Sequence, residues 1–60
     1  MSYTELFNVV KEHMGWDNKK TELWFESPNP NFGGTTPNFF YMVRPEKCEK
    51  LILSMISESK

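Results

Sequence analysis

Apolar residues recur along the chain in helical steps, and the breaks between them are marked by caps. Tyr3, Leu6, Phe7, Val10 and Met14 follow i, i+3, i+4, i+7 and i+11, one face of a helix with 3.6 residues per turn. Val9 and His13 flank that stripe. Ser2 and Glu5 supply the S-x-x-E capping box just before it, and Gly15 suits a left-handed close just after it. This predicts a helix over 2–14. Trp16-Asp17-Asn18 reads as a turn whose Asp or Asn can cap a second helix, over about 19–25, with Leu23 and Trp24 facing inward. An extended Leu23-Trp24-Phe25 is the alternative.

Residues 27–36 break the pattern. Pro28 and Pro30 cannot donate backbone hydrogen bonds and push the residues before them into extended conformations. Asn29 and Asn31 can form side-chain turns, and Gly33 and Gly34 can take positive φ. A flexible linker would not carry a phenylalanine at its centre, so Phe32 is expected to plug an ordered loop into the core. Thr36-Pro37 then has the form of a helix start, hydroxyl at the N-cap and proline at the first helical position. The third helix, about 37–43, carries Phe39, Phe40, Tyr41, Met42 and Val43, apolar nearly all round, so it is either buried or meets a second protein. Arg44-Pro45 ends it. Pro45 opens a last helix whose stripe is Cys48, Leu51, Ile52, Met55 and Ile56, with Glu46 in the first turn and Glu46/Lys50 spaced i, i+4. Residues 57–60 are expected to fray.

The fold class is therefore all-α: a small compact bundle of about four short helices, interrupted by a rigid Pro/Asn/Gly loop, in a single domain over 1–60. No internal repeat or low-complexity tract modifies it.

Length sharpens this picture. A single core in 60 residues rarely supplies more than about 3–5 kcal/mol, and Rossmann units, barrels and hydrolase folds do not fit. The first expectation is a binding module. Aromatics make up 15% of the chain, enough to build a small core or a partner surface. The formal net charge is −1, which disfavours non-specific nucleic-acid binding. The small basic clusters Lys19–Lys20 and Lys47/Lys50 read as solvated faces. One cysteine and one histidine make neither an internal disulfide nor a zinc site. Residues 1–15 carry Glu5 and Glu12 and no continuous apolar core, so no signal peptide is expected, and no apolar run reaches membrane length. A reducing cytoplasm is the expected setting, without metal or cofactor.

Candidate chemistry is sparse. His13 lacks a second catalytic group and is expected at the edge of the core or in the last helical turn. Cys48 lies near a helix N-terminus, which can activate a thiol, but its place on the apolar stripe makes it a small core residue. Met14, Met42 and Met55 are expected as core filler. Gly33-Gly34-Thr35-Thr36-Pro37 has the glycines and hydroxyls of a phosphate loop but not its lysine or preceding strand.

The stretch from Leu23-Trp24-Phe25 through Pro28-Asn29-Pro30-Asn31-Phe32-Gly33-Gly34-Thr35-Thr36-Pro37 resembles the C-terminal toxin-binding domain of the Xre/MbcA/ParS antitoxin family. That family carries a Trp-containing helix end and then a pattern like T-P-N-P-x-L-G-G-x-[ST]-P, a short apolar helix and a last helix. Here Ser27 stands for the usual Thr and Phe32 for the usual Leu. The resemblance covers about 20–57. Phe39-Phe40-Tyr41-Met42 replaces the family's aliphatic segment, and the connector before the last helix is about two residues longer than in some relatives. Residues 1–19 have room for one helix only, so the family's DNA-binding helix-turn-helix should be absent.

The resemblance implies a non-catalytic protein that binds and masks another, in the family typically a toxin enzyme such as a RES-domain NAD-degrading enzyme. A phage-encoded inhibitor of a host toxin or defence protein is the closely related form. Expected partner contacts are Asn29, Asn31, Phe40, Tyr41 and Arg44, the last being the chain's one arginine. Pro30, Phe32, Gly33, Gly34 and Pro37 are expected to shape the loop. Surplus rings make self-association a further expectation. The alternative from another class is a small DNA-associated transcription-regulatory protein.

Overall fold

The computed structural model describes residues 1–58. Its elements are α1 (Tyr3–Met14), α2 (Asn18–Glu26), a single 3-10 turn (Pro30–Phe32), α3 (Pro37–Val43) and α4 (Pro45–Glu58). There is no strand among the described residues. The four helices close a ring around one core: α1 packs on α2, α2 on α3, α3 on α4, and α4 returns to α1. The radius of gyration is 10.5 Å, against about 10 Å expected for a folded chain of this length.

Local chemistry sets each helix end. Ser2 Oγ accepts from the Glu5 N–H at 3.2 Å while the Ser2 N–H donates to Glu5 Oε1 at 2.9 Å, so the box closes in both directions. Gly15, at φ +71°, closes α1, and the Trp16 N–H donates to the Lys11 carbonyl at 3.1 Å. Asp17 caps α2 by accepting from the Lys20 N–H at 2.8 Å, and Thr36 caps α3 by accepting from Phe39 N–H at 3.1 Å. α4 runs through Glu58, so Ser57 and Glu58 remain helical. The rest of the expected frayed tail, residues 59–60, lies outside the described residues.

The capping box carries a pH signature. The Ser2 backbone N–H holds the Glu5 carboxyl below its ordinary value, helped by the Ser2 hydroxyl. A carboxyl depressed in the folded state stabilises above its unfolded value, here 4.5, and that stabilisation is lost as pH falls through the folded value. In a carbon-detected NMR titration the Glu5 carboxyl should titrate below 4.5; a midpoint at or above it contradicts the closed box.

Leu6, Val10, Phe25, Phe32, Cys48 and Ile52 form the buried centre. Phe25 is its largest fully buried side chain, with ring centroids 5.5 Å from both Tyr3 and Phe7 and 5.0 Å from Trp24. α2 corrects the expected inward face. Leu23 is 58% exposed and Trp24 only half-buried, while Phe25 and Thr21, one turn apart, point in. Thr21 can be buried because its hydroxyl donates to the Asp17 carbonyl at 2.8 Å. Met42 is a second correction. It is 77% exposed, whereas Met14 and Met55 pack against the core.

Candidate functional site

The loop between α2 and α3 is a knot of backbone bonds tied around Asn29. The Asn29 carbonyl accepts from Phe32 N–H at 2.9 Å and Gly34 N–H at 3.1 Å. Its own N–H donates to the Thr35 carbonyl at 2.9 Å, and its Oδ1 accepts from the Asn31 N–H at 2.9 Å. Pro30 begins the 3-10 turn, and its carbonyl accepts from Gly33 N–H at 3.2 Å. Gly33 and Gly34 sit at φ +73° and +85°, where a side chain would be strained. The turn drives Phe32 into the core, edge-on to Trp24 at 6.0 Å and to Phe40 at 5.4 Å. Pro37 is buried as well, and its carbonyl faces the Cys48 thiol at 3.7 Å.

Anchoring Pro37 fixes the rotation of α3. Phe40 and Tyr41, one turn on, rest half-buried against the core. Phe39, Met42 and Val43 therefore face outward, at 55%, 77% and 55% exposure. The helix stops at Arg44, whose N–H donates back to the Phe40 carbonyl at 2.7 Å while its carbonyl accepts from Cys48 N–H at 2.9 Å. One residue thus belongs to the hydrogen-bonding of both α3 and α4.

Two surface depressions meet at this corner. A mainly apolar one of about 190 Å³ is lined by Phe32, Thr35, Phe39, Phe40, Val43 and Arg44. A wider one of about 390 Å³ runs from Val43 and Arg44 along Pro45, Glu46 and Lys47. No ion pair joins the exposed Arg44 guanidinium to a carboxylate among the described residues.

Of the five expected contact residues, Phe40 and Arg44 come together in the smaller depression. Asn29 has its side-chain oxygen engaged inside the loop, so it builds the loop as much as it presents a surface. Asn31 is exposed, with its amide 3.9 Å from Met55 Sδ. Tyr41 sits elsewhere, its ring 5.4 Å from Tyr3 and its hydroxyl donating to the Met1 carbonyl at 3.5 Å. The residues absent from that expectation are Phe39, Met42 and Val43. The signal for them was available: once Pro37 is taken as a buried anchor, i+3 and i+4 fall on Phe40 and Tyr41, and the remaining apolar positions must face out.

Reactive groups do not gather here. Burial raises the Cys48 thiol to about 11, so it stays protonated at neutral pH. The Tyr3 phenol is raised by burial and donates to Asn38 Oδ1 at 2.6 Å. Among the described residues, no three of His, Cys, Asp and Glu are placed to hold a metal ion, and no helix is long and apolar enough to cross a membrane. No family model, curated protein or solved structure matches the chain.

Proposed function

We propose that this chain is a small non-catalytic protein-binding module that binds and masks a partner protein, in the manner of the antitoxin domain its loop resembles. The observation that carries this reading is the outward face of α3. Phe39, Met42 and Val43 stand exposed beside an arginine that makes no ion pair among the described residues, on a helix held in place by a rigid loop. Exposed apolar side chains clustered this way mark an interaction surface. Their rim of Arg44, Glu46 and Lys47 supplies polar contacts of the kind found around interface cores. The partner is a toxin enzyme or a host defence protein, and the setting is the cytoplasm, the host's where the chain is phage-encoded.

Affinity capture from lysate of the native host tests this. The tagged chain should retain one partner in near-equal amount. Met42→Asp and the Arg44→Ala/Tyr41→Ala pair should lose it while keeping the helical circular-dichroism spectrum. A folded wild-type chain that retains nothing overturns the reading, as does retention unaffected by Met42→Asp.

A further inference from the structure

The outer face of α2 lies away from the α3 corner, and the depression on it shares no residue with those of the corner. Leu23 is 58% exposed, with Trp16, Lys20, Trp24 and Ser27 around it in a shallow, largely apolar depression of about 320 Å³. The two indoles lie 6.4 Å apart, and Lys20 Nζ sits 5.5 Å from the Trp16 ring. Beyond the Asp17 cap, the charges within this helix run against its own dipole. Lys19 and Lys20 occupy the positive N-terminal turn, which holds no acidic residue, and Glu26 ends the negative C-terminal turn, which holds no basic one. Neither Lys19 nor Glu26 takes part in an ion pair among the described residues.

That pattern is self-complementary. From the structure we infer that α2 is a homodimer interface, in which a second copy of the chain packs its own α2 antiparallel across a two-fold axis at Leu23. Lys19 and Glu26 are seven residues apart, close to two full turns, so they share one flank of the helix. Lys19 lies four residues before Leu23 and Glu26 three after it. The two-fold therefore sets Lys19 of one copy beside Glu26 of the other, offset along the axis by about one 1.5 Å residue rise. An isologous contact repeats each pair, giving two such bridges. The same operation brings each basic turn to the partner helix's negative end and each acidic end to its positive one. Leu23 meets Leu23 at the axis, and the Trp24 rings meet on the other flank.

The patch is small. A standard interface covers about 800 Å² per partner, roughly a fifth of the 4195 Å² surface of this chain. The dimer is accordingly a weak, concentration-dependent one. It does not rest on the proposed masking function, since the two faces are separate.

Sedimentation equilibrium of the full chain from about 10 µM to 1 mM tests the proposal. The weight-average mass should climb from one chain toward two, and added salt should weaken the association. Lys19→Glu replaces two attractions by two repulsions and should raise the dimer dissociation constant about tenfold. Glu26→Lys added to it restores the pairing with the signs reversed and should return the constant to within about threefold of the wild type. Leu23→Glu should abolish association, whereas Met42→Asp should leave it intact. All four positions are exposed, and circular dichroism checks that each variant stays folded. A mass that remains that of one chain at every concentration overturns the proposal. So does a charge swap that fails to restore what Lys19→Glu lost, or association that depends on Met42 instead of Leu23.

Discussion

Replacing Phe25 by alanine is expected to leave the chain unfolded at room temperature. Phe25 has no exposed surface and touches rings from three directions: Tyr3, Phe7 and Trp24. Removing a buried phenylalanine costs about 3–5 kcal/mol, the transfer of the ring plus the cavity left behind. A core of this size supplies only about 3–5 kcal/mol in all. No disulfide shares the load, since Cys48 is free. Far-UV circular dichroism should show loss of helix and of any cooperative melt. A variant that still unfolds cooperatively, with less than about 1 kcal/mol lost in urea, would falsify the view that α1 and α2 are held together through this ring.

Phe32→Ala should have the next largest effect, and it separates loop from core. The Phe32 ring is the floor on which Phe40 sits and the edge against which Trp24 packs. A loss of about 3 kcal/mol is expected. In a domain of this size each 1 kcal/mol lowers the melting temperature by about 4–8 °C, so the transition should fall by about 10–25 °C. The partner binding proposed for α3 should fall with it, because the smaller depression loses a wall. Phe32→Leu, the residue the resembled family uses, keeps an apolar plug of slightly smaller volume and should cost only about 1 kcal/mol. Thermal melts of the two variants side by side decide the matter. Losses below about 1 kcal/mol for both Ala and Leu would mean that the loop is fixed by its backbone bonds alone.

The helix ends were legible in the sequence because capping is local chemistry. Ser2 with Glu5, Asp17, Thr36 with Pro37, and Gly15 each act on amides or torsions within about one turn. The loop was legible for the same reason, since its prolines and glycines restrict or free backbone angles wherever they stand. The face of α2 was not. Leu23-Trp24-Phe25 is a continuous apolar run on a nine-residue helix, and periodicity cannot choose among neighbours that are all apolar. The choice fell to packing: Phe25 turns in against Tyr3 and Phe7 with Thr21 buried one turn away, and a buried threonine is invisible to a hydrophobic pattern. Met42 misled similarly, because helix α3 is apolar all round and only the seat of Pro37 decides which side is out. The candidate site was therefore read in outline, with Phe40 and Arg44 on the depression. Its exposed centre, Phe39, Met42 and Val43, depended on a tertiary contact.

The single residue between α3 and α4 has a kinetic consequence. Arg44 donates to one helix and accepts from the other, so only its own two torsions join them, and these are restricted by Pro45, which follows it, and by the packing of α3 on α4. The partner proposed above would meet a shape already made. Little ordering entropy is then lost from this chain on association. Encounter should proceed at the about 10⁵–10⁷ M⁻¹s⁻¹ typical of rigid docking, with affinity differences among α3 variants appearing in how long the complex lasts.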